Sequence, residues 1–197
     1  MAAWVWVLIV IGIAALLAVV VWRVFARRRT GRLQEQFGPE YDRAVDGAES
    51  RREAEAELQA REQRRRELEI RPLTEAARTR YVDTWRITQQ QFVDDPRGAV
   101  QSADSLIQSV MADRGYPVEE FEQRAADVSV DHPQVVENYR EGHRLARASA
   151  GGDESTESLR QAMRHYRALF DELVEPAADD PSTRERATSD GGVTASR

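Results

Sequence analysis

The amino-terminal part of the chain carries a run of 21 uncharged residues, from Ala2 to Trp22, almost all of them aliphatic or aromatic. Because an α-helix rises about 1.5 Å per residue, this run covers about 30 Å, the thickness of the hydrocarbon core of a bilayer. Trp4 and Trp6 lie at one end of the run and Trp22 at the other, and indole rings favour the membrane–water interface. The pattern predicts a single-pass transmembrane anchor over residues 1–25.

Five arginines and no acidic residue follow the apolar run: Arg23, Arg27, Arg28, Arg29 and Arg32. By the positive-inside rule, this basic juxtamembrane segment, 26–39, predicts an amino terminus outside the cell membrane and a cytoplasmic body. A cleaved signal peptide is the alternative, but it would begin with basic residues and end in a small-residue cleavage site, and neither is evident. The arginines set the topology, and they could also bind anionic lipid.

The composition excludes several kinds of chemistry. All 28 basic residues are arginines and there is no cysteine. Lysine-dependent phosphate loops, Schiff-base catalysis, disulfides and thiolate metal sites are therefore absent. The formal net charge is -6 for the chain and about -10 for residues 33–175. Since an acidic body repels phosphate backbones, we expect no nucleic-acid partner.

A strongly charged stretch follows, in which 14 of the 23 residues from Glu49 to Arg71 are charged. Acid–arginine pairs four residues apart favour a solvated helix. Leu58 and Leu68 lie ten residues apart with no larger aliphatic residue than alanine between them, which is a poor coiled-coil seam. The pattern predicts a charged spacer helix over 40–71, about 48 Å long if continuous, after a break at Gly38–Pro39. Coiled-coil dimerisation is the alternative.

Beyond Pro72 the pattern changes to helices with broad apolar stripes and clear end signals. Thr74 and Asp95 are candidate N-caps, the latter followed by Pro96 at the first helical position. Further helices are predicted up to Gly115, over 118–127, over 133–148 and from a cap at Thr156 to Pro176. These define a small helical bundle over 72–175, and the polar tail 176–197 is predicted to be disordered. The fold class is therefore all-α.

The sequence presents no recognisable catalytic or metal-binding pattern. Its three histidines, His132, His143 and His165, lack the Glu-x-x-His or H-E-x-x-H spacing of helical metal sites. A G-x-S-x-G elbow is also absent. We therefore expect no enzyme activity, no cofactor and no metal, and a hydrolase or metal enzyme is the alternative.

Several segments resemble a family of uncharacterised membrane or secreted proteins of actinobacterial type. They read FGPEY at 37–41, IRPL at 70–73, FVDDPRGAV at 92–100, GYPVEEFEQRAADVSVDHPQVVENYR at 115–140 and LRQAMRHYRALFDELV at 159–174. The resemblance extends over most of residues 33–175. It implies an anchored helical protein and no particular activity or catalytic residues.

The order of these segments predicts a membrane-anchored interaction or scaffold protein. Its partners would be the lipid bilayer and a cytoplasmic protein, and its oligomeric state is left open. The predicted partner surface includes Tyr116, Phe121, His132 and Tyr139. A peripheral sensor of anionic lipid that uses the juxtamembrane arginines is the alternative function.

Overall fold

A computed structural model describes residues 3–150 and 155–175, and within these ranges the chain is all-helical. The described helices are α1 (Ala3–Phe37), α2 (Pro39–Gly47), α3 (Arg51–Glu67), α4 (Glu75–Gln91), α5 (Pro96–Arg114), α6 (Phe121–Asp131), α7 (Val136–Ala150) and α8 (Thr156–Val174). The predicted all-α class is confirmed. The predicted disordered tail, 176–197, and the break expected at Gly151–Gly152 lie outside the described residues.

The chain divides into two compact units, with the boundary between Ala60 and Arg61. In the first unit, α1 ends at Phe37 and the chain turns at Gly38, whose φ of 48° is a left-handed conformation that glycine tolerates. The predicted break at Gly38–Pro39 is thus confirmed. Among the described residues, no helix combines the length and apolar character required to cross a membrane.

The carboxylate of Glu55 joins the helices of the first unit. Its Oε1 accepts hydrogen bonds from Thr30 Oγ1 on α1 at 2.7 Å and from Tyr41 Oη on α2 at 3.1 Å. Burial raises the pKa of the Tyr41 hydroxyl, and the contact with Glu55 raises this pKa by a smaller amount. The buried apolar side chains of this unit lie on all three of its helices: Leu33, Phe37, Tyr41, Ala54 and Leu58.

The segment predicted as one continuous spacer helix, 40–71, differs from that prediction. Helix α2 ends at Gly47, Ala48 is extended, and α3 begins at Arg51 after Ser50, whose Oγ accepts a hydrogen bond from Glu53 N at 3.3 Å. A helix-ending glycine and a capping serine therefore interrupt the favourable charge pattern. The carboxyl end of α3 belongs to the second unit and is partly buried there, so it is not a solvated rod.

The helix-end signals of the second unit are largely confirmed. Thr74 Oγ1 accepts from Ala77 N at 3.2 Å, and the Asp95 carboxylate accepts from Gly98 N at 2.9 Å. Gly115 ends α5 in the left-handed conformation, with φ of 95°, and a Cβ there would lie 2.5 Å from the carbonyl oxygen of Glu69. Both the backbone conformation and the close approach therefore require glycine.

Several predicted boundaries shift by one to four residues. Helix α6 covers Phe121–Asp131 instead of 118–127, and α7 covers Val136–Ala150 instead of 133–148. The cap of α8 is Ser155, whose Oγ accepts from Ser158 N at 3.3 Å, while Thr156 is the first helical residue. Adjacent serine and threonine residues are equivalent candidates from sequence alone.

The core of the second unit lies between α4, α5, α7 and α8. Trp85 on α4 stacks on Phe170 on α8, with ring centroids 4.7 Å apart. Helices α7 and α8 approach closely at Gly142, where a Cβ would lie 2.9 Å from Tyr166 Cδ1. Close packing of these helices therefore depends on the absence of a side chain at residue 142.

Candidate functional site

The four residues of the predicted partner surface are not grouped on an exposed face. Tyr116 and Tyr139 belong to the core, with 3% and 0% of their surfaces exposed. Phe121 packs against the core and stacks on His143, with ring centroids 3.7 Å apart. His132 ends α6, and its Nδ1 lies 3.0 Å from Glu172 Oε1. Because buried side chains cannot contact a partner, Tyr116 and Tyr139 are corrected from surface to core residues.

Tyr116 instead takes part in a polar contact between α3 and α6. Its hydroxyl donates to Asp131 Oδ2, which also accepts from Arg65 Nε. Two residues earlier on α6, Ser129 Oγ accepts from Arg61 Nη1 at 3.3 Å. The arginines of α3 thus hold α6 in place, and burial raises the pKa of the Tyr116 hydroxyl.

A second polar cluster lies inside the bundle. Arg124 on α6 is buried, donates from Nε to Tyr139 Oη at 3.0 Å, and donates from Nη1 to the carbonyl of Val118. Asp104 on α5 accepts from Gln108 Nε2 at 2.6 Å. The Tyr166 hydroxyl, Asp104 Oδ1 and His143 Nε2 are also buried, and none forms a hydrogen bond of normal geometry within the described residues.

Burial dominates the electrostatics of this cluster. Desolvation, and secondarily the charge of Asp104, raises the pKa of Tyr139 to about 12 and raises the pKa of Tyr166 further. Desolvation also lowers the pKa of His143, against the opposing effect of Asp104. Both tyrosines are protonated at neutral pH and closed off from solvent, so the cluster contributes polar packing instead of an accessible acid or base.

Metal binding receives no support from the part of the chain that the structure describes. No group of three or more histidine or acidic side chains is placed there to hold an ion. His165 Nδ1 lies 2.9 Å from Asn138 Oδ1, on the neighbouring helix. The histidines are therefore distributed over separate local contacts.

An open groove lies between α4 and α8, and we call it the α4–α8 groove. Its volume is about 210 Å³, and it is lined by Gln89, Phe92, Arg160, Met163, Arg164 and Arg167. Among the residues that the structure describes, the lining thus contains three guanidinium groups, one amide and two apolar side chains, and no carboxylate. Such a groove favours a ligand that combines negative charge with an apolar part.

The three arginines of the groove differ in their partners. Arg160 pairs with Glu157, and Arg167 Nε lies 3.3 Å from Asp171 Oδ2. Arg164 is exposed, and among the described residues it has no ion pair. One guanidinium of the groove is therefore available, while the other two have exposed partners that contribute little energy.

A second groove lies between α4 and α5, with a volume of about 570 Å³ and a lining rich in hydroxyl and amide groups. Several of its hydroxyls are already bonded to carbonyls of their own helices: Thr84 to Arg80, Thr88 to Thr84 and Ser109 to Ser105. These hydroxyls therefore already donate their hydrogen bonds within their own helices. The α4–α8 groove is therefore the stronger candidate for a binding site.

The predicted membrane-interface residues lie on α1. Trp4 is exposed, whereas the side chains of Trp6 and Trp22 lie outside the described set. Helix α1 continues beyond the apolar run and carries all five exposed arginines: Arg23, Arg27, Arg28, Arg29 and Arg32. The basic cluster is therefore helical and accessible to solvent.

Comparison with protein-family models, with curated proteins and with solved structures finds no match to this chain. Sequence reasoning missed the α4–α8 groove, although Arg160, Arg164 and Arg167 have the spacing of one helix face. The other wall comes from α4, about 70 residues earlier in the chain, and only the tertiary structure brings the two together.

Proposed function

We propose that this chain is a membrane-anchored interaction protein. Helix α1 holds it in the cell membrane with the amino terminus outside, and the cytoplasmic bundle binds a protein partner through the α4–α8 groove. The observation that carries the proposal is the exposure of large apolar side chains on α1. Among them, Ile13 is 54% exposed, Leu16 64% and Leu17 58%.

The cost of this exposure in water supports a lipid environment for α1. Burying one such side chain contributes about 1.5–3 kcal/mol. Among the α1 side chains that the structure describes, seven large apolar ones are exposed: Trp4, Ile13, Leu16, Leu17, Val20, Val21 and Val24. The uncharged run from Ala2 to Trp22 has the length of a bilayer core. The arginines that follow it favour a cytoplasmic body.

Extraction of membranes tests the anchor. We expect the tagged full chain to stay in the membrane pellet after washing with alkaline carbonate, because a spanning helix resists removal. The variant Leu16→Arg/Leu17→Arg should move to the soluble fraction, since each central arginine costs about 2.5–3.5 kcal/mol on insertion. The matched variant Leu16→Ala/Leu17→Ala should remain in the pellet. Release of the unaltered chain by carbonate would contradict the anchor.

Photocrosslinking in cells tests the interaction. A photoreactive residue at Gln89, which is exposed and lines the groove, should capture a protein that is not captured from Arg144 on α7, which is also exposed. The same set of products from both positions, or none from Gln89, would contradict the role of the groove.

Anionic-lipid binding by α1 is a second candidate, favoured by the exposure of its five arginines. Each arginine near the membrane surface contributes about 1 kcal/mol to binding of anionic lipid. Replacing all five by glutamine should then abolish enrichment at anionic membrane regions, once unchanged topology has been verified. Unchanged enrichment would reject this function.

A further inference from the structure

We propose that the α4–α8 groove binds an acidic amphipathic helix of the partner protein, which presents carboxylates at helical spacing and one apolar side chain. This inference rests on the proposed function and specifies the chemistry of the partner. It depends on three features of the groove: the spacing of its arginines, its apolar floor and a lining in which the described residues include no carboxylate.

The arginines form a line along α8. Arg164 follows Arg160 by four residues and precedes Arg167 by three. With a rise of about 1.5 Å per residue, their backbone positions are spaced by about 6 Å and then about 4.5 Å along the helix. Glutamates four and three residues apart on a partner helix have the same spacing, so a helix that lies along α8 places one carboxylate near each guanidinium.

The ion pairs of these arginines within the chain are weak, so a carboxylate of the partner protein can replace them. Glu157 and Asp171 are about half exposed, with 52% and 58% of their side chains accessible, as are the arginines they contact. Such exposed pairs contribute little. A partner carboxylate bound in the groove is more shielded from water and can accept two parallel hydrogen bonds from a guanidinium. Arg164 lacks a competing carboxylate among the described residues. We therefore expect it to contact the partner's carboxylate first.

The floor of the groove provides the apolar contact. Met163 is 8% exposed and Phe92 is partly buried against the core, and both line the groove beside the arginines. The volume of about 210 Å³ accommodates a side chain and is small for most whole ligands. A leucine or methionine between the partner's carboxylates fits this space, and the flexible Met163 adapts to it.

The arginine groove also contrasts with the body as a whole, which is acidic, with a formal charge of about -10 over residues 33–175. This charge repels an acidic partner at long range, so recognition depends on the short-range contacts of the groove. A flat anionic membrane presents no side chain to the floor between Phe92 and Met163. The geometry therefore favours a protein helix over a lipid surface.

Fluorescence anisotropy with the full chain in detergent micelles tests the inference. The probe is a labelled, alanine-rich helical peptide with glutamates spaced by four and then three residues and a leucine between them. The control peptide has glutamine at the three glutamate positions. We expect the glutamate peptide to bind at least about tenfold more tightly, because charge-assisted hydrogen bonds exceed neutral ones.

Matched variants locate the binding site. Arg160→Gln/Arg164→Gln/Arg167→Gln should weaken binding of the glutamate peptide by about tenfold or more. Arg97→Gln/Arg144→Gln/Arg147→Gln removes the same charge from exposed positions outside the groove and should change binding less than about twofold. Arg164→Gln alone, at an exposed residue, should weaken binding about threefold without affecting folding.

Three results would overturn the inference: equal binding of the two peptides, equal losses in the two triple variants, or arginine-dependent binding of phosphatidylglycerol vesicles without peptide binding. Peptide binding in micelles does not require membrane insertion. Failure of carbonate resistance would therefore contradict the anchor alone, whereas failure of peptide binding would contradict the groove alone.

Discussion

Helices α1 and α8 both carry many large apolar side chains, but they place them differently. On α8 the apolar residues recur at helical spacing and are buried: Leu159, Met163, Tyr166, Phe170 and Leu173. On α1 the apolar residues follow one another without a polar face, and large ones such as Leu16 and Leu17 are exposed. A striped helix buries its apolar face against its own chain, whereas a segment that is apolar all round, such as the run up to Trp22, is typical of a large core or of a membrane.

This comparison shows that the arrangement of apolar residues, rather than their number, determines the environment of a helix. The arginines of the two helices also differ in their placement. Those of α1 follow the apolar run directly, while those of α8 alternate with its buried face and line a groove. The proposed functions of the two helices, anchorage and partner binding, follow from this difference.

The largest difference between α1 and α8 should appear on truncation of a single side chain. Phe170→Ala removes a buried ring that stacks on Trp85, and we expect a loss of about 3–5 kcal/mol in the free energy of unfolding. Leu16→Ala, at an exposed position of α1, should change the stability of the bundle by less than about 0.5 kcal/mol. Urea unfolding followed by far-ultraviolet circular dichroism measures both, and similar losses would invalidate the comparison.

Alanine substitutions at two helical glycines should differ in stability by a smaller amount. Gly142→Ala places a Cβ against the Tyr166 ring, and overpacking of about 1–3 kcal/mol outweighs a gain in helix propensity of about 1 kcal/mol. At Gly31 on α1 no atom lies within 4 Å of the added Cβ, so Gly31→Ala should be neutral or stabilising. Thermal unfolding midpoints distinguish the two variants. An increased midpoint for Gly142→Ala would contradict the close approach of α7 and α8.

The smallest predicted effect concerns pH. Burial lowers the pKa of His143 in the folded chain, while Asp104 and Glu122 oppose this shift and Arg147 and Arg124 reinforce it. The unfolded chain therefore binds a proton first as the pH falls below about 6.5, and stability is lost as the pH falls through the folded-state pKa.

The variant His143→Phe retains a ring that can stack on Phe121 and removes this titration. Between about pH 7.5 and about pH 5, the unaltered chain should lose more stability than this variant. Urea unfolding at the two pH values measures the difference. Parallel losses would show that His143 does not titrate differently in the folded and unfolded states.

Local signals made much of the fold predictable. Asp95 followed by Pro96, and Gly115 at the end of α5, each determine a helix end through their own backbone and side-chain chemistry. The interruption at residues 48–50 was missed because the spacing of charges in 40–71 favours a helix throughout. Gly47 and Ser50 are the residues that indicate this interruption in the sequence.

The functional residues were less predictable because their environment is tertiary. Tyr139 lies on the same stripe as Val136, a pattern that indicates burial, although the predicted partner surface includes it. Its contact with Arg124 depends on the packing of α6 against α7. The α4–α8 groove likewise requires two helices distant in the chain. Sequence periodicity identifies a face of one helix and does not identify what faces it.

The central proposal is that α1 spans the membrane and leaves the bundle in the cytoplasm. Protease protection tests it most directly, with the full chain tagged at its carboxyl terminus and protease added to intact cells before and after permeabilisation. The account predicts a protected tag and bundle in intact cells and digestion only after permeabilisation. Digestion of the bundle in intact cells would contradict it.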